Sequence, residues 1–111
     1  MCNYHIWFHD EKAGYVVECK QCNRMQICFG NVLISLDKPG FKNFCDYISI
    51  VQQQKEGCVD RHIKSILLST QCTGISFILT ATELDGLCRM MDYVDTEIKT
   101  TALIKMFEAA Y

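Results

Sequence analysis

Two apolar stripes at helical spacing set the limits on how this chain can fold. Phe41, Phe44, Cys45, Ile48 and Val51 share one helix face, and Leu84, Leu87, Cys88, Met91 and Val94 repeat that spacing 43 residues later. The start signals repeat with them. Asp37 is placed to cap the first helix, with Pro39 in its first turn and Gly57 beyond its end, and Thr80 with Glu83 forms a capping box for the second. Each stripe follows two strand-like runs. Met25 to Phe29 and Val32 to Leu36 flank Gly30-Asn31, and Ile63 to Thr70 and Ile75 to Leu79 flank Gln71-Cys72-Thr73-Gly74. Val32, Ile34 and Leu36 match Ile75, Phe77 and Leu79 as inward positions. The pattern describes two hairpin–helix units, about 23–57 and 66–100, consistent with an internal duplication. A two-stranded unit cannot bury its apolar face alone, so both units are expected to share one sheet and one core.

Ahead of them, Tyr4 to His9 and Tyr15 to Cys19 predict a further hairpin turning at Asp10-Glu11-Lys12-Ala13-Gly14. The expected fold is α+β: an antiparallel sheet of about five to six strands with two or three helices on one face. The third helix would exist if the tail, Thr96 to Tyr111, breaks from the second near Asp95-Thr96. No linker or low-complexity tract divides the 111 residues, so 1–111 is one domain. On the first strand Tyr4, Ile6 and Phe8 form the better core face, with His5, Trp7 and His9 opposite and Trp7 expected under the tail helix. Met91 is expected in the core and Met90 at its periphery. Asp85, Asp92, Asp95 and Glu97 are expected on a solvated helix face, and Asp60-Arg61-His62 as a polar strand start.

Charge and cysteine usage then narrow the function. Eleven basic and thirteen acidic residues leave a formal charge of −2, which argues against a general nucleic-acid binder. No apolar run approaches the ~18 residues of a membrane span. The eight cysteines could form a disulfide framework in a secreted chain, but the start, MCNYHIWFHDEK, has no basic, apolar or cleavage-site signal. A cytoplasmic protein with reduced thiols is the expectation, with Cys45 and Cys88 as buried, inert core residues.

Cys2-x-x-His5 followed by Cys19-x-x-Cys22 is the strongest chemical signal. Two thiolate-bearing pairs suit tetrahedral zinc. A hairpin turning near residue 12 sets Cys2 opposite Cys22 and His5 opposite Cys19, gathering all four at one end. Residues 2 and 5 point to opposite faces of a regular strand, so a bend or a substitute ligand is required, and His9 and Cys58 are the substitutes. One structural zinc per chain is the cofactor expectation, with Cys2, His5, Cys19 and Cys22 as its ligands.

Gly14-Tyr-Val-Val-Glu-Cys-Lys-Gln-Cys22, Cys28-Phe-Gly-Asn-Val-Leu-Ile-Ser-Leu36 and Phe41-x-x-Phe44 resemble a family of small uncharacterised bacterial proteins. That family has an early Cys, a Cys-x-x-Cys corner and a Phe-Gly-Asn-type turn. Cys2, Cys19 and Cys22 match its pattern, and the resemblance implies a shared cysteine site without an activity.

Three functions compete. A non-catalytic module with a structural zinc would bind a protein partner or itself, and the apolar run through Ala102, Leu103, Ile104, Met106 and Phe107 could take part. A thiol oxidoreductase would use Cys19 and Cys22, but a reactive Cys-x-x-Cys normally opens a helix and this one ends a strand. A zinc-ribbon nucleic-acid binder would use Lys12, Lys20, Arg24, Lys38 and Lys42, although Glu11, Glu18 and Asp37 lie among them. Hydrolase, P-loop and dinucleotide motifs are absent from the sequence. The reading favours the non-catalytic module over an enzyme.

Overall fold

The first half of the chain is a four-stranded meander. Strand β1 (Tyr4–Asp10), β2 (Gly14–Cys19), β3 (Arg24–Phe29) and β4 (Val32–Asp37) pair in chain order, each antiparallel to the next. Helix α1 (Lys38–Gln54) follows, then a hairpin of β5 (Ile66–Ser69) and β6 (Ser76–Leu79), then helix α2 (Ala81–Ala110). The computed structural model describes residues 3–55, 60–70 and 72–110. None of the helices among the described residues is long and apolar enough to cross a membrane.

The α+β class and the antiparallel pairing are as the sequence predicts, with one difference in arrangement. The six strands divide into sheets of four and two. Strands β4 and β6 line the same groove but exchange no ladder of hydrogen bonds. The short second hairpin is instead tied to helix α1, where the Ser69 N–H donates to the Tyr47 hydroxyl at 2.9 Å. Ile66 and Leu68 bury completely in the common core. The two units therefore share a core without sharing a sheet.

Both helices begin where their capping residues direct. The Asp37 carboxylate accepts from the Gly40 N–H at 2.7 Å. The Glu83 N–H donates to Thr80 Oγ1 at 3.0 Å and the Thr80 N–H donates to Glu83 Oε1 at 2.9 Å, a reciprocal capping box. Phe41, Cys45, Ile48 and Val51 of α1 meet Leu84, Leu87, Cys88, Met91 and Val94 of α2 in one core with Val16, Met25 and Ile27 of the sheet. The Cys88 thiol donates to the Ile48 carbonyl oxygen at 3.6 Å across the helix pair. Burial, reinforced by nearby carboxylates, pushes the Cys45 thiol up to about 12 and the Cys88 thiol up to about 11, so both stay protonated and unreactive.

Of the two courses the sequence leaves open to the tail, helix α2 continues through Asp95-Thr96, so there are two helices among the described residues. The sequence-based expectations need correction at three places. Met90 is 3% exposed and belongs to the core, because α2 packs on β1, α1 and β6 together and its buried arc is wider than one stripe. Ile75 is 57% exposed, since it lies before β6 begins and faces away from the core. On β1, Tyr4 and Ile6 are exposed while Trp7 and Phe8 both pack on the core.

Candidate metal centre

A β-bulge decides what the first hairpin brings together. Near the turn Phe8 faces Val16 and His9 faces Tyr15, the register expected from a turn near residue 12. The register then shifts by one residue between Ile6 and Phe8. Beyond the shift Tyr4 lies opposite Cys19 and His5 opposite Glu18, in place of the expected His5 and Cys19 pair. The bulge puts Trp7 and Phe8 on the core side together.

The corner after β2 holds the two cysteines of the Cys-x-x-Cys pair. The Asn23 N–H donates to the Cys19 carbonyl oxygen at 2.8 Å, closing a turn over Lys20, Gln21 and Cys22. Asn23 carries a φ of 58°, the left-handed conformation that asparagine tolerates better than most side chains. In this turn the Cys22 N–H donates to Cys19 Sγ at 3.3 Å. A backbone N–H aimed at sulfur stabilises the thiolate that a metal would bind. Cys19 is 2% exposed and Cys22 is exposed, so the corner has one sulfur inside and one at the surface. The Lys20 N–H donates to the Asn3 carbonyl oxygen at 2.9 Å, drawing the start of the described chain alongside this corner.

The other sequence-derived ligands fall elsewhere. Residue 5 is paired with Glu18, whose face of the sheet is opposite to that of Cys19, and the His5 ring packs edge-on against Trp7 at 4.4 Å. His9 lies opposite Tyr15, toward the far end of the hairpin. Cys2 and Cys58 lie outside the described residues. Among the described residues no three His, Cys, Asp or Glu side chains converge as a metal-binding group. The structure thus unites Cys19 and Cys22 and leaves His5 and His9 away from them.

Glu18 is the feature that sequence reasoning missed. The sequence groups it with the surface charges, yet it is only 5% exposed. The Trp7 indole N–H donates to Glu18 Oε1 at 3.0 Å, Lys38 Nζ lies 3.2 Å from Oε2 and Lys20 Nζ lies 3.9 Å from Oε1. Burial pushes this carboxyl up, but the Trp7 hydrogen bond and Lys38 outweigh it and hold the group below its ordinary value. The only advance signal is period two: Glu18 follows Val16 on the same face of β2. Lys20 and Lys38, two residues of the expected basic surface, are drawn to this carboxylate. Arg24 is held by Ser35 through Nε to the hydroxyl at 3.0 Å and NH2 to the carbonyl at 2.9 Å.

A model described as a family of unknown function, DUF6686, matches residues 1–111. The chain belongs to the DUF6686 family. The whole-chain match agrees with the resemblance to an uncharacterised family. No curated protein and no solved structure matches this DUF6686 chain. Its corner opens onto strand β3, where Arg24 pairs with Asp37 of β4, and not onto a helix N-terminus.

Proposed function

We propose that this DUF6686 protein is a cytoplasmic, zinc-stabilised interaction module without catalytic activity. The observation that carries the reading is the Cys22 N–H to Cys19 Sγ hydrogen bond within a corner closed by left-handed Asn23. That geometry supports a pair of thiolates binding one ion. Cys2 supplies a third ligand in this proposal, because Asn3, the next residue, is hydrogen-bonded to Lys20 of the same corner. His5 or Cys58 completes the set, His5 only with a change at the start of β1 that brings its ring from the Glu18 face to that of Cys19. Four protein ligands leave no open coordination position for a reacting water, which supports a structural role over a catalytic one. A corner followed by a strand lacks the helix dipole that would activate a thiol for disulfide exchange.

Protein contact, with a partner or a second copy, is the job we assign to the module. Its support is the far end of α2, where Leu103, Ile104, Met106 and Phe107 are all exposed.

Elemental analysis of the purified, untagged chain tests the metal. We expect about one equivalent of zinc per chain, and its loss together with a lower melting temperature in Cys22→Ser. A folded wild-type protein holding less than about a tenth of an equivalent defeats the proposal. So does a Cys22→Ser variant that melts unchanged while the wild type turns over in a disulfide-reduction assay, which makes the oxidoreductase the better reading.

A further inference from the structure

A cavity of about 560 Å³ opens between the end of α1, the segment before β5 and the first turns of α2. Its volume falls in the range of small-molecule sites, roughly 300–1,000 Å³. Ile66 and Leu84, both fully buried, form an apolar floor. Among the described residues, Lys55, Arg61 and Arg89 contribute three positive charges to its walls, against the single carboxylate of Asp85.

That carboxylate is already committed. Gln52 Nε2 donates to Asp85 Oδ1 at 3.0 Å, and an Arg61 guanidinium nitrogen donates to Asp85 Oδ2. Arg61 is held in place from behind as well, since its carbonyl oxygen accepts from the Thr82 N–H at 3.3 Å and from the Thr82 hydroxyl at 3.1 Å. A guanidinium has five N–H donors, so most of those on Arg61 are left for another acceptor. Arg89 and Lys55 make no side-chain hydrogen bond or ion pair among the described residues. The described lining residues thus carry a net charge of +2, in a chain whose formal charge is −2.

We propose that this cavity binds a small organic anion, its phosphate or carboxylate held by Arg61, Arg89 and Lys55 and its apolar body resting on Ile66 and Leu84. An arginine fork matches the oxygen pairs of either group. An anion also relieves the mutual repulsion of three cations around one cavity. The inference stands apart from the zinc reading, because no cysteine among the described residues lines the site.

Calorimetric titration of the whole chain with inorganic phosphate, phenyl phosphate and benzoate tests it. We expect saturable binding of phenyl phosphate or benzoate, at least about tenfold tighter than inorganic phosphate, as the apolar floor adds to the anion contact. The tighter of the two organic anions tells whether the site takes a phosphate or a carboxylate. Arg89→Gln should weaken that binding by about tenfold or more without moving the melting temperature, whereas Lys12→Gln in the β1–β2 turn should leave it unchanged. Arg61→Gln is expected to weaken it as well, but it also disturbs Asp85, so Arg89→Gln is the deciding variant. Absence of saturable heat with all three anions overturns the proposal, as does equal binding by the wild type and Arg89→Gln.

Discussion

Glu18 shows how one side chain links the sheet to the helices. A buried carboxylate is tolerated only with partners, and here an indole N–H and two lysines supply them. Its lowered pKa means that Glu18 contributes stability at neutral pH, above the ordinary carboxylate range. That contribution is lost as pH falls through the folded value and the group is protonated. Trp7→Phe removes a hydrogen bond to a charged group and should cost about 1–3 kcal/mol at neutral pH. Urea unfolding of wild type and variant at neutral and acid pH checks this. The difference should narrow in acid, and a gap equal at both pH values would assign the loss to packing alone.

Strand β2 begins at a glycine whose conformation and surroundings leave no room for a side chain. Gly14 has a φ of 131°, outside the range of L side chains, and a Cβ there would collide with the carbonyl oxygen of Cys28 on β3. The two strands can pair from Gly14 opposite Phe29 to Cys19 opposite Arg24 only because that space is empty. Gly14→Ala should therefore cost about 3 kcal/mol or more, through strain and a broken ladder together. Thermal melting by circular dichroism reads the loss, and a variant that melts within a degree or two of wild type would show that the β1–β2 turn can be rebuilt. The corner of Cys19 and Cys22 would suffer with it, since β2 carries Cys19.

Helix α2 extends beyond the body it caps. Thirty residues at 1.5 Å each make it about 45 Å long, in a molecule whose longest dimension is 53 Å. Its first half is buried against α1, β1 and β6, with the Phe8 and Tyr93 rings meeting edge to face at 5.8 Å. Residues 102–109 are exposed throughout, and Phe107 is 60% exposed. A Leu103→Glu, Phe107→Glu double variant should keep its folding stability to within about 0.5 kcal/mol, because neither side chain packs on the core. Light scattering across a concentration series should show weaker association for that variant than for the wild type. A large drop in its melting temperature would mean that this end of α2 folds back onto the body.

Local pattern was enough wherever one element's own residues carried the signal. The stripes of α1 and α2, the Asp37 cap, the Thr80–Glu83 box and the strand runs follow from 3.6- and 2-residue periods and from short-range hydrogen bonds, all legible in the chain. The corner at Cys19 and Cys22 was legible for the same reason, as two residues of one turn. Other features depended on contacts between elements. A single extra residue at the β1 bulge exchanged the partner of Cys19 from His5 to Tyr4 and brought Trp7 to Glu18. The second hairpin's attachment to helix α1 in place of β4, the burial of Met90 and the meeting of Arg61 with Asp85 all join residues distant along the chain. Periodicity names the face that an element buries. Which neighbour covers that face, and in which register, is decided only when the elements pack.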